Sequence, residues 1–310
     1  MTFDLVGIGN PVYDVIITPV ARTQGRVLSG CSTNGCLAAK RLGMKKVGLI
    51  GCIAQDFVDR FRKDMARYGI ATNLDTTCKE TGGFRLVYDD KGERTLDVLG
   101  VAGRITSKAL PEEFLDSRFF LIGPILGEVD LQLVKRIRSK TSAPLFLDPQ
   151  GLVRVISEDR RVGHRCDREA FAEIARLVDF IKPNERESET ITGSRNPLVG
   201  LRQLHDLGSG IAIVTLAERG SLLLNGDRLY RIPAFHTRAI DPTGAGDVYA
   251  GSFITEYDRS ADLIESALFA SAAASIMVEQ MGPDFLMSRE AVERRKEVIR
   301  ADLVMETLAQ

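Results

Sequence analysis

Short apolar segments alternate with longer segments of helical periodicity along most of the chain. The apolar segments have the length and composition of buried strands and lie at 5–9, 47–51, 119–122, 145–148, 180–184 and 211–215. Helical patterns lie at 35–43, 56–68, 129–139 and 167–177. Parallel strands need crossover connections, which are usually helices, so this alternation predicts an α/β fold with a mostly parallel sheet covered by helices on both faces.

Residues 84–88 and 95–99 show a different pattern, in which apolar and polar positions alternate with a period of two. The polar segment 89–94 separates them, and the three segments together predict a hairpin. No Gly/Ser-rich linker, low-complexity tract or fixed-period repeat divides the chain. We therefore expect a single domain over residues 1–310.

Composition and charge exclude several classes of partner. Lys plus Arg number 41 against 42 Asp plus Glu, so there is no basic bias and we expect no nucleic-acid partner. No apolar run approaches the length needed to span a bilayer, and the first residues lack the basic start of a signal peptide. We expect a cytoplasmic protein without a membrane partner.

Five cysteines and three histidines are spread along the chain. The cysteines are odd in number and lack CxxC spacing, which indicates neither a disulfide framework nor a zinc site. The histidines are scattered, so we interpret them as surface or capping residues.

The first apolar segment ends in Gly7-Ile8-Gly9, which suggests a dinucleotide-dependent oxidoreductase as a rival. A dinucleotide site needs a third glycine and the start of a helix at this point. Asn10-Pro11 instead turns the chain into further extended residues, which counts against that rival. The chain also lacks the GxxxxGK[ST] string of a P-loop kinase.

The segment 241–247, Asp-Pro-Thr-Gly-Ala-Gly-Asp, precedes a predicted helix. Three small residues let backbone N–H groups converge, and the helix adds its unpaired N-terminal donors and the positive end of its dipole, so the segment predicts an anion site. The carboxylate of Asp247 at such a site costs electrostatic energy unless it has a separate function. The function that fits is that of a general base. The alternative is a tight turn in which Asp247 caps the helix.

Residues 241–253, D-P-T-G-A-G-D-V-Y-A-G-S-F, resemble the C-terminal signature of the ribokinase-like sugar and nucleoside kinases, the PfkB carbohydrate kinase family. The resemblance spans nearly the whole chain and implies a ribokinase-like three-layer sandwich with a small β lid. It implies that Asp247 is the catalytic base and that the anion hole is formed by Gly244, Ala245 and Gly246. It also implies that Thr243, Gly244 and Gly246 bind the nucleotide. Pro242 stands where the family usually has Thr or Asp.

The same resemblance implies an acceptor site formed by the N-terminal segments. Asp14 falls where the family's aspartate binds sugar hydroxyls, and a carboxylate can accept two O–H donors at once. Residues 29–43 resemble the family's G-G-x-x-x-N-x-A segment, which implies that Gly30 and Asn34 bind the substrate together with Asp247. Ser29 and Cys36 replace the first glycine and the alanine of that segment.

On the donor side, residues 182–187 resemble the family's N-x-x-E motif. The implied role of Asn184 and Glu187 is to hold Mg²⁺ through water near the triphosphate. A capping box between the two residues is an alternative that is compatible with this role. Thr215 and Gly220 match the family's T-x-G-x-x-G nucleotide motif. Ala217 replaces its middle glycine, which leaves ADP open as a donor.

In relatives, the lid comes from segments that correspond here to about 14–28 and 82–100. Between Asp14 and Ser29 there is room for one short hairpin at most, so the first lid segment is short. Lid sheets in relatives often mediate dimers, which keeps a homodimer through the lid open. Arg94 and Arg104 could reach a phosphate or carboxylate of the acceptor, although solvated charge is the role that the sequence favours for each.

These observations predict a Mg²⁺-dependent phosphotransferase that moves the γ-phosphoryl group of ATP to a hydroxyl of a small sugar, sugar acid, nucleoside or inositol. The short first lid segment favours a nucleoside, inositol or another small polyol over ribose. The alternative from another class is a sensor of the same fold that binds nucleotide and sugar without catalysis. The sequence does not identify the acceptor.

Overall fold

The computed structural model of the chain describes residues 2–90, 92–107 and 110–308. Its strands are β1 (Leu5–Ile8), β2 (Val12–Ile17), β3 (Val27–Ser29), β4 (Val47–Cys52), β5 (Ile70–Asp75), β6 (Gly83–Tyr88), β7 (Arg94–Gly100), β8 (Phe120–Ile122), β9 (Leu145–Leu147), β10 (Arg154–Ile156), β11 (Val162–His164), β12 (Phe180–Ile181), β13 (Ile211–Thr215), β14 (Ser221–Asn225), β15 (Arg228–Ile232) and β16 (Val304–Thr307). Its helices are α1 (Cys31–Arg41), α2 (Val58–Tyr68), α3 (Glu112–Leu115), α4 (Leu131–Lys140), α5 (Gln150–Val153), α6 (Arg168–Ala175), α7 (Glu185–Thr192), α8 (Pro197–Asp206), α9 (Ala245–Ser260), α10 (Leu263–Met277) and α11 (Arg289–Arg300).

The central sheet has ten strands in the order β16-β15-β14-β13-β12-β9-β8-β1-β4-β5. The pairs from β13 to β5 are all parallel, whereas β14, β15 and β16 add an antiparallel edge. The predicted α/β fold with a mostly parallel sheet is therefore confirmed. Parallel order places the carboxyl ends of seven strands along one edge, where ligands bind in open α/β sheets.

Helices cover both faces of this sheet because consecutive strand residues point in opposite directions. Phe146 packs on the face covered by α1, α2, α9, α10 and α11. Its neighbours Leu145 and Leu147 pack on the opposite face with α4, α6, α7 and α8. The two buried clusters give the three layers, helix, sheet and helix, that the sequence predicts.

A second sheet of four strands, in the order β3-β2-β6-β7, stands beside the central one. The segments predicted to form the lid, 14–28 and 82–100, contribute to this sheet, and we call it the lid sheet. The hairpin β10–β11 adjoins it through a bridge between Asp97 and Arg161. Lys91, in the predicted hairpin turn, lies outside the described residues, as do Met1 and residues 309–310 of the predicted domain.

Helices α1 and α9 cross at a contact between two glycines. A Cβ atom on Gly251 would overlap the carbonyl oxygen of Gly35. The backbones can approach this closely only because neither residue has a side chain. The close crossing brings the first turns of the two helices together.

Among the residues that the structure describes, no helix combines the length and the apolar character required to cross a bilayer. The five cysteines are all free thiols.

Candidate active site

A cavity of about 590 Å³ lies between the lid sheet and the carboxyl ends of the central strands. Most of the site residues predicted from the sequence line it, namely Asp14, Gly30, Asn184, Glu187, Thr215, Gly220, Thr243, Gly244, Ala245, Gly246 and Asp247. Asn34 adjoins the cavity through its hydrogen bond to Asp247. The volume lies within the usual range for small-molecule sites. Segments from both ends of the chain therefore meet at one cavity.

The anion loop, Thr243–Gly246, forms the start of α9. Gly244 is the N-cap and has φ +84°, a left-handed conformation that favours glycine. The helix begins at Ala245, so Gly246 and Asp247 lie within its first turn. A long helix that starts in this way directs unpaired N–H donors and the positive end of its dipole toward the cavity. This arrangement suits a phosphate group.

The carboxylate of Asp247 is held by side chains from two other segments. Asn34 Nδ2 donates to Oδ2 at 2.9 Å, and Gln150 Nε2 donates to Oδ1 at 3.2 Å. Burial, and then the negative charge of Asp148, raise the pKa of Asp247. A fixed carboxylate of raised pKa beside an anion site has the properties of a general base.

Lys182 and Asp148 form a buried ion pair beside this carboxylate. Lys182 Nζ lies 2.8 Å from Asp148 Oδ2, and the side chains are 2% and 3% exposed. Although burial disfavours the charged amine, the carboxylates of Asp148 and Glu187 raise the pKa of Lys182. A Cβ on Gly246 would lie 3.3 Å from Lys182 Nζ, so the ammonium group lies directly beside the anion loop.

A thiol completes this acidic group. One ligand atom each from Cys31, Asp148 and Asp247 lies within 4.8 Å of the others. The ammonium group of Lys182 already neutralises Asp148, so we interpret the three residues as part of the ion-pair network. Burial, and then the nearby carboxylates, raise the pKa of Cys31, so its thiol stays protonated.

Asp14 lies on β2 at the end of the cavity formed by the lid sheet. Its Oδ1 accepts the Phe84 N–H at 2.7 Å, and the side chain is 3% exposed. Burial raises the pKa of Asp14 to about 6. Gly30, the N-cap of α1, lies nearby with φ +118°. A buried acceptor oxygen at this end fits the hydroxyl groups of a polyol.

Asn184 and Glu187 form a capping box at the start of α7. Asn184 Oδ1 accepts the Glu187 N–H at 2.9 Å, and Glu187 Oε2 accepts the Asn184 N–H at 3.0 Å. Burial, and then the charge of Asp148, raise the pKa of Glu187, so a nearby cation would favour its ionised form. Glu187 Oε1 makes no hydrogen bond in the described part of the chain. The box therefore leaves a hard oxygen ligand for Mg²⁺, directly or through water.

The lid sheet is hydrogen-bonded to the anion loop. Tyr88 OH lies 3.0 Å from Thr243 Oγ1, and Arg94 Nη1 lies 3.4 Å from the same tyrosine oxygen. Arg94 therefore lines the cavity. This differs from the solvated position that the sequence favoured for it. Arg104 has the predicted solvated position, with a side chain that is 76% exposed.

On the other side of the anion loop, Thr215 ends β13 and forms a bridge with Asn184. Gly220 has φ +85°, and the carbonyl oxygen of Ile232 leaves no room for a Cβ atom there. The backbone therefore requires glycine at this position of the predicted nucleotide motif, whatever the ligand.

Sequence reasoning missed several residues of the cavity. It assigned no role to Gln150, Arg154 or Lys182. His164 also lines the cavity, and burial lowers its pKa to about 4, which differs from the surface or capping role predicted for it. The available signal for Lys182 was a charged residue directly after a buried strand.

Three comparisons with known proteins show what the chain is similar to. Residues 6–289 match the family model "pfkB family carbohydrate kinase". The cytidine kinase of Thermococcus kodakarensis is 29% identical over 285 residues, which cover 90% of this chain and 97% of the relative. The ribokinase of Haemophilus influenzae is 25% identical over 289 residues, 86% of this chain and 89% of the relative.

The fold is similar to that of a solved pyrophosphate-dependent kinase in the ribokinase family, complexed with a pyrophosphate analog and myo-inositol. The TM-score is 0.80 at 23% identity, with 94% of this chain and 99% of that chain covered.

Proposed function

Because the chain belongs to the pfkB family of carbohydrate kinases and is a kinase, we propose that it phosphorylates a hydroxyl group of a small sugar, nucleoside or polyol. The observation that carries this proposal is the position of Asp247. Its carboxylate lies in the first turn of α9, next to the anion loop and inside the cavity. No feature of the site favours the non-catalytic sensor.

In this proposal Asp247 removes the proton of the acceptor hydroxyl as that oxygen attacks the γ-phosphorus of ATP, and the bond from this phosphorus to the β–γ bridging oxygen breaks to release ADP. Asn34 and Gln150 hold the carboxylate in place, and its raised pKa makes it a stronger base. The N–H groups at the start of α9 stabilise the charge on the transferred phosphoryl group. Lys182 supplies a fixed positive charge beside them.

Asn184 and Glu187 would hold Mg²⁺ near the phosphates, with Thr215 and Gly220 on the nucleotide side. The ion would neutralise charge on the phosphate oxygens that it contacts. ATP is the proposed donor, and ADP is the alternative to test beside it.

Asp14, Gly30 and Asn34 would contact the acceptor.

We also propose a cytoplasmic location, which the five free thiols support. A homodimer through the lid is supported by exposed apolar side chains on the lid segments, Val20 and Leu99 at 57% and 37%. Sedimentation of the purified protein measures this, and a monomer at all concentrations would contradict it.

The Asp247→Asn variant tests the proposed base. We expect turnover to fall by about 10²- to 10⁴-fold, because an amide cannot accept the hydroxyl proton. Binding of an ATP analogue should stay close to wild type, since the anion loop is intact. Turnover is measured by coupled nucleotide release with Mg²⁺ and ATP or ADP against sugars, sugar phosphates, inositol and nucleosides.

The matched control is Asp227→Asn, which removes a carboxylate from an exposed turn between β14 and β15. Its turnover should equal that of the wild type. An Asp247→Asn variant with near-wild-type activity would contradict the proposed base. A wild-type protein that binds ATP but turns over no acceptor of the panel would favour the sensor.

A further inference from the structure

Two guanidinium groups that the mechanism above does not use enter the cavity. Arg94 begins β7 of the lid sheet, and Arg154 follows the short helix α5. Both side chains line the cavity.

Neither guanidinium group has a carboxylate partner among the described residues. Arg94 Nη1 contacts Tyr88 OH at 3.4 Å. Arg154 Nη1 donates to the Ile125 carbonyl at 3.4 Å, and its guanidinium carbon lies 5.8 Å from the centre of the Phe84 ring. A guanidinium group has five N–H donors, so most donors of both residues lack an acceptor in the described chain. Both residues are half-buried, and charged groups that are partly withdrawn from water bind anions more strongly than exposed ones.

The position of Arg154 shows which part of the cavity such an anion would occupy. Four residues earlier, Gln150 donates to Asp247, which places this segment against the proposed base. Phe84, which the guanidinium group of Arg154 faces, donates its N–H to Asp14. Arg154 therefore lies between the base and the acceptor end of the cavity. Arg94 lies beside the anion loop, since the Tyr88 OH that it contacts lies 3.0 Å from Thr243 Oγ1.

The electrostatic surroundings favour an anion at this position. Burial, and then the charge of Arg94, lower the pKa of Arg154, and the carboxylates of Glu187, Asp247 and Asp148 oppose this only in part. A group that carries one or two negative charges would relieve this repulsion and satisfy the free N–H donors. Neutral hydroxyls could accept some of these hydrogen bonds but would add no negative charge to that of Glu187 and Asp247, which act on both guanidinium groups without forming ion pairs with them.

We propose that Arg154, assisted by Arg94, binds an anionic group of the acceptor, so that the preferred acceptor is a phosphorylated or carboxylated polyol. This proposal rests on the proposed kinase function and narrows its substrate class. The transferred phosphoryl group of ATP is the other anion that could reach the two arginines. If the bound anion belongs to the acceptor, loss of Arg154 weakens the use of the acceptor. If it is the transferred phosphoryl group, loss of Arg154 weakens the use of ATP.

The first test compares neutral acceptors with their anionic counterparts in the wild type and in Arg154→Gln. Suitable pairs are ribose and ribose 5-phosphate, cytidine and cytidine 5′-monophosphate, glucose and gluconate, and myo-inositol and its 1-phosphate. We expect a higher kcat/KM for the anionic member in the wild type. In Arg154→Gln that preference should fall by about 10- to 100-fold, the usual effect of one charged hydrogen bond, while KM for ATP stays constant.

Two further variants make this result specific. Arg154→Lys keeps the charge and should retain part of the preference, which separates loss of the anion contact from loss of folding. Arg104→Gln removes an exposed guanidinium group outside the cavity, 4.0 Å from Asp130, and should behave as wild type. A wild type that prefers neutral acceptors, or an Arg154→Gln variant in which only KM for ATP rises, would overturn the proposal.

The second test detects the site without an acceptor substrate. Inorganic phosphate is titrated calorimetrically into protein saturated with Mg²⁺ and the non-hydrolysable analogue AMP-PNP, which fills the donor phosphate positions. We expect phosphate to bind the wild type and Arg104→Gln, and to bind Arg154→Gln at least about tenfold more weakly. Absence of phosphate binding to the saturated wild type would overturn the proposal.

If neither AMP-PNP nor ADP binds, the proposed kinase function is wrong. The same titration in the absence of nucleotide then decides the anion site by itself. Equal phosphate affinity of the wild type and Arg154→Gln would overturn it.

Discussion

The ion pair between Lys182 and Asp148 offers a sharp test of how the site is stabilised. In the Lys182→Met variant the carboxylate of Asp148 stays in the interior without its partner, which is 2.8 Å away in the wild type. The same carboxylate lies close to Asp247. The variant therefore has the buried carboxylate of Asp148 beside the half-buried carboxylate of Asp247, without the ammonium group of Lys182.

The expected loss of stability is large. Removal of one partner from a buried ion pair costs about 3–5 kcal/mol. With an unfolding entropy of about 2.1 cal/mol/K per residue, the 310 residues give about 0.65 kcal/mol/K, so a loss of about 4 kcal/mol lowers Tm by about 6 °C. The Lys135→Met control breaks an exposed pair with Glu173, which contributes about 0–1 kcal/mol.

The variant should also change the pH dependence of turnover. Lys182 lowers the pKa of Asp247, partly opposing the effects of burial and Asp148. Without the ammonium group the pKa of Asp247 rises further, and a general base must be ionised to act. The acid limb of kcat against pH should therefore move to higher pH.

Thermal unfolding by calorimetry and a pH–rate profile measure these two effects. The double variant Lys182→Met, Asp148→Asn leaves neither charge and should recover most of the lost stability. A Lys182→Met protein that melts within about 1 °C of the wild type with an unchanged pH profile would refute the reasoning. A buried carboxylate without a partner must lower the free energy of unfolding by more than such a small change in Tm allows.

Two further predictions concern single carboxylates. Glu187→Gln can keep the capping box with Asn184, so Tm should stay at the wild-type value. The Mg²⁺ concentration for half-maximal rate should rise by about 10- to 100-fold, because a carboxylate ligand is lost. An unchanged Mg²⁺ requirement would contradict the proposed metal role. A hydrogen bond from Arg300, and then one from Lys296, lower the pKa of Glu265 to about 2, so this carboxylate stabilises the fold above its ordinary pKa of 4.5 and less so as the pH falls below it. In urea unfolding, Glu265→Gln should cost about 1–2 kcal/mol at pH 7 and progressively less below pH 4.5, and a cost independent of pH would contradict this assignment.

The interior of the fold could be predicted from the sequence because buried strands are uniformly apolar. The prediction of a strand at 211–215 agrees with β13 to the residue, since all five positions are apolar or β-branched. The edges were harder to predict. Strand β16 is exposed at all four residues, and α11 is mostly charged, so neither has an apolar pattern strong enough to identify it.

The chemistry of the site could be predicted only in part. The anion loop and Asp247 are contiguous in the sequence, so their combination is visible without a fold. Lys182 and Arg154 acquire their roles from residues far away in the sequence, and only the packed sheet shows what they face. Arg94 and Arg104 are alike in the sequence, but one lies inside the lid and the other in solvent.

The close crossing of α1 and α9 has a consequence for how the protein is made. Asn34 and Asp247 are separated by 213 residues, and they meet only when the two glycine-bearing helices pack together. During synthesis on the ribosome, the apolar face of α1 that packs against α9 therefore stays exposed until more than three quarters of the polypeptide has been made. Contacts this distant in sequence also slow refolding, because a long loop must close before they can form. Chaperone dependence and slow recovery from denaturant are therefore expected, because distant parts of the chain must meet at the proposed catalytic carboxylate.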